Sequence, residues 1–131
     1  MKKDIEILEI KDVYVAIVRQ WNTEYEFHDW NAFIINDKDV DLEMVLIVSK
    51  GSDETRKTPI MRHKLEKLPA KSCAKIEFMP ENLLELSNEF LVTFFENNRM
   101  FDKKFVFEKN TINENVIAEV PLMTDKGVLG K

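Results

Sequence analysis

The chain has 131 residues, of which 44% are hydrophobic and 33% are charged, a balance typical of one folded domain and not of a disordered chain. Its formal net charge of −5 at pH 7 argues against nonspecific binding to nucleic acid, because an acidic protein is repelled by phosphates. Cys73 is the only cysteine, which excludes an intramolecular disulfide and a cysteine-based zinc site.

The start of the chain carries acidic residues at positions 4, 6, 9 and 12, where an export signal has an uncharged apolar run. The longest apolar runs are about as long as Val13 to Val18, far below the roughly 18 residues of a membrane helix. We therefore expect no export signal, no membrane span and a cytoplasmic location.

Short segments rich in β-branched and aromatic residues, or alternating between apolar and polar residues, are predicted as strands. In chain order these strands cover 5–10, 13–21, 30–36, 42–49, 61–66, 72–78, 90–95 and 104–108. The strands 61–66 and 72–78 are predicted to form an antiparallel pair, and 90–95 and 104–108 to form a hairpin through the turn-like residues 97–100. Residues 80–86 predict a short helix, because proline is preorganised for the first helical position.

Seven to eight short, evenly spaced strands with one short helix in a crossover predict an all-β fold, an immunoglobulin-like or fibronectin-like β-sandwich. A small barrel would produce much the same pattern. Residues 1–110 are predicted to form this single domain. Residues 111–131 are predicted as a C-terminal tail, and Val116, Ile117, Val120 and Leu122 make it apolar enough to pack on the domain or on a partner.

The residue types needed for common active sites are absent or poorly placed. With only three glycines the chain has neither a dinucleotide fingerprint nor a P-loop, and it has no nucleophile elbow. His28 and His63, the only histidines, lack the spacing of a zinc site, and Cys73 has no histidine beside it in the sequence. We therefore predict no catalytic residue, no metal site and no cofactor.

Basic residues concentrate between Arg56 and Lys75, where seven of them accompany one acidic residue, Glu66. If the strands 61–66 and 72–78 pair, alternation would place several basic side chains on one surface. Such a surface would bind an acidic partner or RNA. The alternative is that these residues lie on the solvent-exposed face of a hairpin at the edge of a sheet, where charged side chains discourage aggregation. The residues of this predicted basic patch are Arg56, Arg62, Lys64, Lys67, Lys71 and Lys75.

The strands 13–21 and 42–49 are apolar on both faces, whereas a sandwich buries only one face of each sheet. A second subunit or the C-terminal tail would cover the other face. Aromatic residues also cluster between positions 21 and 30, where they either anchor an interface or close one end of the sandwich. The candidate interface residues are Trp21, Trp30, Val45 and Ile47, and we predict a homodimer.

The segments DWNAFIIN, at 29–36, and LEMVLIVSKG, at 42–51, resemble a group of small bacterial cytosolic proteins. These proteins often carry an automatic label as phenylalanyl-tRNA synthetase β subunit. The chain is much shorter than a synthetase subunit and has no recognisable aminoacylation motif. The resemblance therefore implies at most an accessory domain, with the predicted basic patch as the place for tRNA.

Taken together, these features predict a non-enzymatic module that associates with itself or with another protein. The alternative is an RNA- or tRNA-associated accessory domain that uses the predicted basic patch.

Overall fold

A computed structural model describes residues 10–131 of the chain. Except for Ile10, the predicted strand 5–10 lies outside the described residues. The elements in chain order are β1 (Val13–Asn22), β2 (Phe27–Asn36), β3 (Leu42–Ser52), β4 (Met61–Leu68), β5 (Ser72–Phe78), α1 (Glu81–Leu84), β6 (Ser87–Glu96), β7 (Arg99–Phe107) and β8 (Gly127–Leu129).

The strands form two antiparallel four-stranded sheets that pack into an all-β sandwich, as predicted. Sheet A has the order β5-β2-β1-β8 and sheet B has the order β4-β3-β6-β7. The predicted short helix is α1, preceded by Pro80, and it lies where the chain crosses from sheet A to sheet B.

Side chains from the inner faces of both sheets fill the space between them. Val15 and Ile17 of β1 belong to the same buried cluster as Phe90 and Phe94 of β6. The ring centroids of Phe90 and Phe107 lie 5.7 Å apart in an edge-to-face contact. Full burial of one such side chain stabilises the fold by about 1.5–3 kcal/mol, so this layer is the main source of stability.

The predicted hairpin is confirmed as β6 and β7, and both strands extend further than predicted. Asn97 and Asn98 connect them with φ angles of 51° and 63°. Positive φ at both central residues is the requirement of a two-residue type I′ turn, which asparagine tolerates better than most residues. Glu96 and Arg99 consequently form the last pair of the ladder.

The predicted antiparallel pairing of strands 61–66 and 72–78 is wrong. β4 pairs with β3 in sheet B, whereas β5 pairs with β2 in sheet A. The buried amide of Asn36 contributes to this crossing, because its Nδ2 donates to the carbonyl oxygens of Leu68 and Pro69, where the chain leaves β4. Alternation in the sequence shows which side chains of a strand share a face, but it does not show with which other strand that strand pairs.

The segment after residue 110 first packs against the main core, where Ile112 is buried, and then covers part of the outer face of sheet A and joins both sheets. Val120 is buried there against Ala16, Val18 and Ile35. The three-residue strand β8 then pairs with β1, and the backbone of Lys131 exchanges two hydrogen bonds of 2.8 and 3.0 Å with β7. The outer apolar face of β1 is thus covered by the chain itself.

Candidate functional site

The outer face of sheet B carries a set of apolar side chains that the described residues leave uncovered. β3 and β6, the two central strands, supply most of them, and their registers place Val48 beside Leu91. Val48 is half-buried, and the other four members are between 38% and 62% exposed. We call this set the bare face, and its residues are Leu46, Val48, Leu91, Phe95 and Met100.

Charged side chains flank the bare face on both sides, on β4 and on β7, and strand register shows which of them lie in the same row. In one row across the sheet, Lys64 of β4 lies beside Leu46, and Asp102 of β7 ends the same row beyond Thr93. Neither Lys64 nor Asp102 forms an ion pair with another described residue. In the next row Arg62 flanks Val48 on the β4 side. Lys104 of β7 ends this row beyond Leu91, and its Nζ lies 3.8 Å from the carboxylate of Glu89. The β4 margin is therefore basic, and the β7 margin carries one carboxylate, Asp102, and one lysine that Glu89 balances.

Three of the four predicted interface residues lie in the core, which corrects that prediction. Val45 and Ile47 are at most 1% exposed and point between the sheets, so they contact the interior and not a partner. Trp30 is buried in the same cluster. A strand that is apolar on both faces gives no sign of which face turns inward, and in β3 the outward residues are Leu46 and Val48.

Trp21 is the one predicted interface residue that is exposed, at 53%. Its ring meets the ring of His28 edge to face, with 5.1 Å between centroids. Tyr25 and Phe27 lie in the same β1–β2 turn region, with centroids 6.3 Å apart. The aromatic residues of this turn contact one another at one end of sheet A, away from the bare face.

Three members of the predicted basic patch are bound to acidic neighbours. Lys71 Nζ donates to the backbone oxygen of Asp37 at 2.8 Å and lies 3.1 Å from its carboxylate. Lys67 Nζ lies 3.8 Å from Asp41. Arg56 forms an ion pair of 2.7 Å with Asp53. These cations are balanced locally, so they leave little net charge to attract an anionic partner.

The other three members do not share one surface. Arg62 and Lys64 belong to the outer face of sheet B, beside Val48 and Leu46. Lys75 pairs in register with Phe33, which belongs to the outer cluster of sheet A. The two outer faces lie on opposite sides of the sandwich. The predicted single patch on a strand pair is therefore wrong, because its two strands belong to different sheets.

Asp53 in the loop after β3 shows the effect of its arginine neighbour on titration. The side chain of Arg56, and next the backbone N–H of Thr55, hold the pKa of Asp53 well below its ordinary value of 3.8. Because the folded-state pKa is depressed, this pair stabilises the loop above the unfolded pKa and stops doing so as the pH falls through the folded value.

We expect an NMR titration of the Asp53 carboxyl carbon to show no midpoint near 3.8. In Arg56→Ala the midpoint should rise toward that value, since the largest cause of the shift is removed. A native midpoint at or above 3.8 would contradict this expectation.

One polar cluster that sequence reasoning missed joins the edges of the two sheets. Ser49 Oγ lies 3.2 Å from both carboxylate oxygens of Glu77, and His63 Nε2 lies 3.0 Å from Glu77 Oε2. Glutamate is central here, and no hydrogen bond joins the serine to the histidine, so the order differs from that of a hydrolytic triad. The one signal of this cluster in the sequence is that His63 and Ser49 are polar residues at inward-facing positions of their strands.

The described residues hold no group of three or more His, Cys, Asp or Glu side chains able to bind a metal ion. Cys73 is half-buried beside the outer cluster of sheet A. Across residues 10–131, no helix is both long and apolar enough to cross a membrane.

Comparison of the chain with protein-family models, with curated proteins and with solved structures found no match. The resemblance to small proteins labelled as synthetase subunits therefore stays a prediction. The bare face remains the feature that geometry singles out, and of its five residues only Leu46 and Val48 were noted in the sequence as part of a strand with two apolar faces.

Proposed function

We propose that the protein is a non-catalytic interaction module that binds a second copy of itself through the bare face. The single observation that carries this proposal is the difference between the two outer faces. The chain's own tail buries the apolar outer face of sheet A, whereas four side chains of the bare face stay 38–62% exposed. Contiguous exposed apolar surface on a sheet is typical of an interface.

Charge around the bare face favours a second copy as the partner. A twofold axis parallel to the strands would bring the β4 margin of one copy opposite the β7 margin of the other, in the same row. Lys64 of one copy would then face Asp102 of its partner, and the symmetry would form this pair twice. Arg62 would face Lys104 in the next row, where Glu89 balances the charge of Lys104. Neither side chain has an ionic partner among residues 10–131, so both are available for it.

The proposal includes an immunoglobulin-like arrangement and a cytoplasmic location. The order β4-β3-β6-β7 of sheet B corresponds to the C′-C-F-G order of an immunoglobulin-type sheet. Cys73 has no second cysteine with which to form a disulfide, as is usual for a protein in a reducing compartment.

A charged residue in the bare face is expected to separate the copies. Leu46→Glu would bury a carboxylate between two apolar surfaces, and we expect it to raise the dimer dissociation constant at least about 100-fold. Leu122→Glu, at an exposed position in the tail, is the matched control and should leave the dissociation constant unchanged. Sedimentation equilibrium of all three proteins measures this effect, and equal dissociation constants for native protein and Leu46→Glu would refute the proposed surface.

Charge exchange at the margins then separates self-association from binding of a different partner. Lys64→Glu and Asp102→Lys should each weaken the dimer several-fold, because each places like charges opposite one another. The double variant should recover most of the lost affinity. Additive losses in the double variant would contradict the proposed twofold axis.

Among residues 10–131, the cations of the predicted basic patch do not form one continuous surface for the RNA-associated alternative. Arg62 and Lys64 lie on the outer face of sheet B, and Lys75 lies on the outer face of sheet A. A phosphate backbone is bound by cations that line one continuous path. We therefore favour self-association.

A further inference from the structure

A cleft of about 480 Å³ opens where the edge of sheet B, at β4, meets the edge of sheet A, at β5. Its volume falls within the roughly 300–1,000 Å³ of small-molecule sites. Met61, Phe78 and Leu83 give it apolar walls, and Ser49 and Glu77 contribute polar groups. None of these residues belongs to the bare face, so a function of this cleft is independent of self-association.

Glu77 is the group in the cleft that most needs a partner. Its side chain is only 17% exposed, and no lysine or arginine of the described chain lies within 4.0 Å of its carboxylate. Transfer of a carboxylate from water into such a place is costly unless hydrogen bonds and a cation compensate.

His63 and Ser49 do not fill all the hydrogen-bond acceptor sites of the Glu77 carboxylate. An ionised carboxylate only accepts hydrogen bonds, so His63 must carry its hydrogen on Nε2 to donate across the 3.0 Å contact. Ser49 has one hydroxyl hydrogen and shares it between the two carboxylate oxygens. Two donors thus serve about four lone-pair sites, and the remaining sites are available to a molecule in the cleft.

The cations that line the cleft do not fill this need. Lys50 Nζ lies 3.6 Å from Glu89, so its charge is balanced on the outer side of the sheet. Lys57 is exposed, and no ion pair joins it to Glu77. The side chains of Met61 and Phe78, which also line the cleft, are about half exposed and leave apolar surface open to a ligand.

We propose that this cleft binds an organic ammonium ligand with an apolar body. The ammonium group would donate to the free lone pairs of Glu77, and the apolar chain would lie against Met61, Phe78 and Leu83. Such a ligand supplies a permanent positive charge, which His63 provides only when it is protonated, and it covers the exposed side chains.

The test is a titration of the ¹⁵N-labelled protein with hexylammonium, followed by amide chemical shifts, with hexanol and hexanoate as probes of the same chain length. We expect saturable shifts at Ser49, Met61 and Phe78 with hexylammonium. Glu77→Gln should weaken this binding at least about tenfold, because it removes a charge-assisted hydrogen bond. Glu119→Gln, an exposed change in the tail, is the matched control and should bind as the native protein does.

Met61→Lys provides a second variant at an exposed edge position, and it should also weaken binding by placing a cation at the entrance. If the spectrum of Glu77→Gln loses the dispersion of a folded protein, the result for Met61→Lys tests whether the cleft binds hexylammonium. Equal binding of hexanol, preferential binding of hexanoate, unchanged binding in the cleft variants, or no saturable shift would each overturn the proposal.

Discussion

Asn36→Asp is expected to lower the free energy of unfolding by at least about 3 kcal/mol, although the two side chains have nearly the same size. Asn36 is 0% exposed. Its Nδ2 donates to the carbonyl oxygens of Val40, Leu68 and Pro69 at 2.9, 3.1 and 3.0 Å. In the variant a carboxylate oxygen would face three carbonyl oxygens, so donors are lost and a buried charge is left unpaired.

The penalty of Asn36→Asp should depend on pH in a direction that identifies its cause. The backbone N–H of Lys38, which donates to Asn36 Oδ1 at 3.0 Å, would be the one donor left to this carboxylate. Burial beside three carbonyl oxygens would still raise its folded-state pKa above the unfolded value. The variant therefore loses stability as the pH rises above the unfolded value and recovers part of it at lower pH. Urea unfolding at pH 7 and at pH 4 measures this difference. Asn115→Asp, at an exposed position, should change stability by less than about 0.5 kcal/mol at either pH. A penalty for Asn36→Asp as small as that of the control would show that Asn36 does not hold the crossing between the sheets.

Gly127→Ala is expected to destabilise the protein by about 3 kcal/mol, a large effect for one added methyl group. A Cβ atom at this position would lie 2.5 Å from the backbone oxygen of Ile17 and 2.8 Å from Cα of Val18. Both are backbone atoms of β1 and cannot rotate away. β8 would therefore have to move off β1, which would expose the cluster that Val120 buries.

Hydrogen exchange shows whether the loss arises in the tail. Arg19 N–H donates to the carbonyl oxygen of Lys126, and Gly130 N–H donates to that of Val15, each at 2.9 Å. In Gly127→Ala these two amides should exchange faster than amides of β6. Lys126→Ala, an exposed neighbour, should leave both stability and exchange unchanged. Native exchange rates at Arg19 and Gly130 in Gly127→Ala would contradict the proposed role of the tail.

Local patterns in the sequence were sufficient to predict most strands, the short helix and the β6–β7 hairpin. Alternation, β-branched residues and the pair Asn97–Asn98 act over a few residues, so they can be read without knowledge of the fold. β8 was not predicted, because a strand of three residues is too short to show alternation between apolar and polar residues. Its Gly127 is explained only by the close approach of β8 to β1, which the sequence does not show.

For a different reason, the sequence could not show which side chains of β3 face the core and which face outward. Val45 and Ile47 are chemically equivalent to Leu46 and Val48, so the alternation has two equally apolar phases. Which phase turns inward depends on the partner sheet and on a local irregularity at Met44, whose φ is 49°. The same reasoning explains why the doubly apolar β1 is covered while β3 is bare, since only the fold shows where the tail lies.

The predicted basic patch failed because charge density along a sequence does not specify a surface. Lys71 and Lys67 meet aspartates of the β2–β3 turn, which are distant in the sequence. Arg62 and Lys75 are separated by a crossing between sheets. Strand pairing decides such arrangements, and pairing is a long-range property.

The most direct test of self-association through the bare face is an isotope-filtered NOE experiment on a mixture of ¹³C-labelled and unlabelled protein. Only contacts between different copies produce signals in this experiment. We expect intermolecular NOEs from the methyl groups of Leu46, Leu91 and Met100, and none from Val120 or Val45. Intermolecular NOEs that arise elsewhere, or none at millimolar concentration, would contradict the proposed interface.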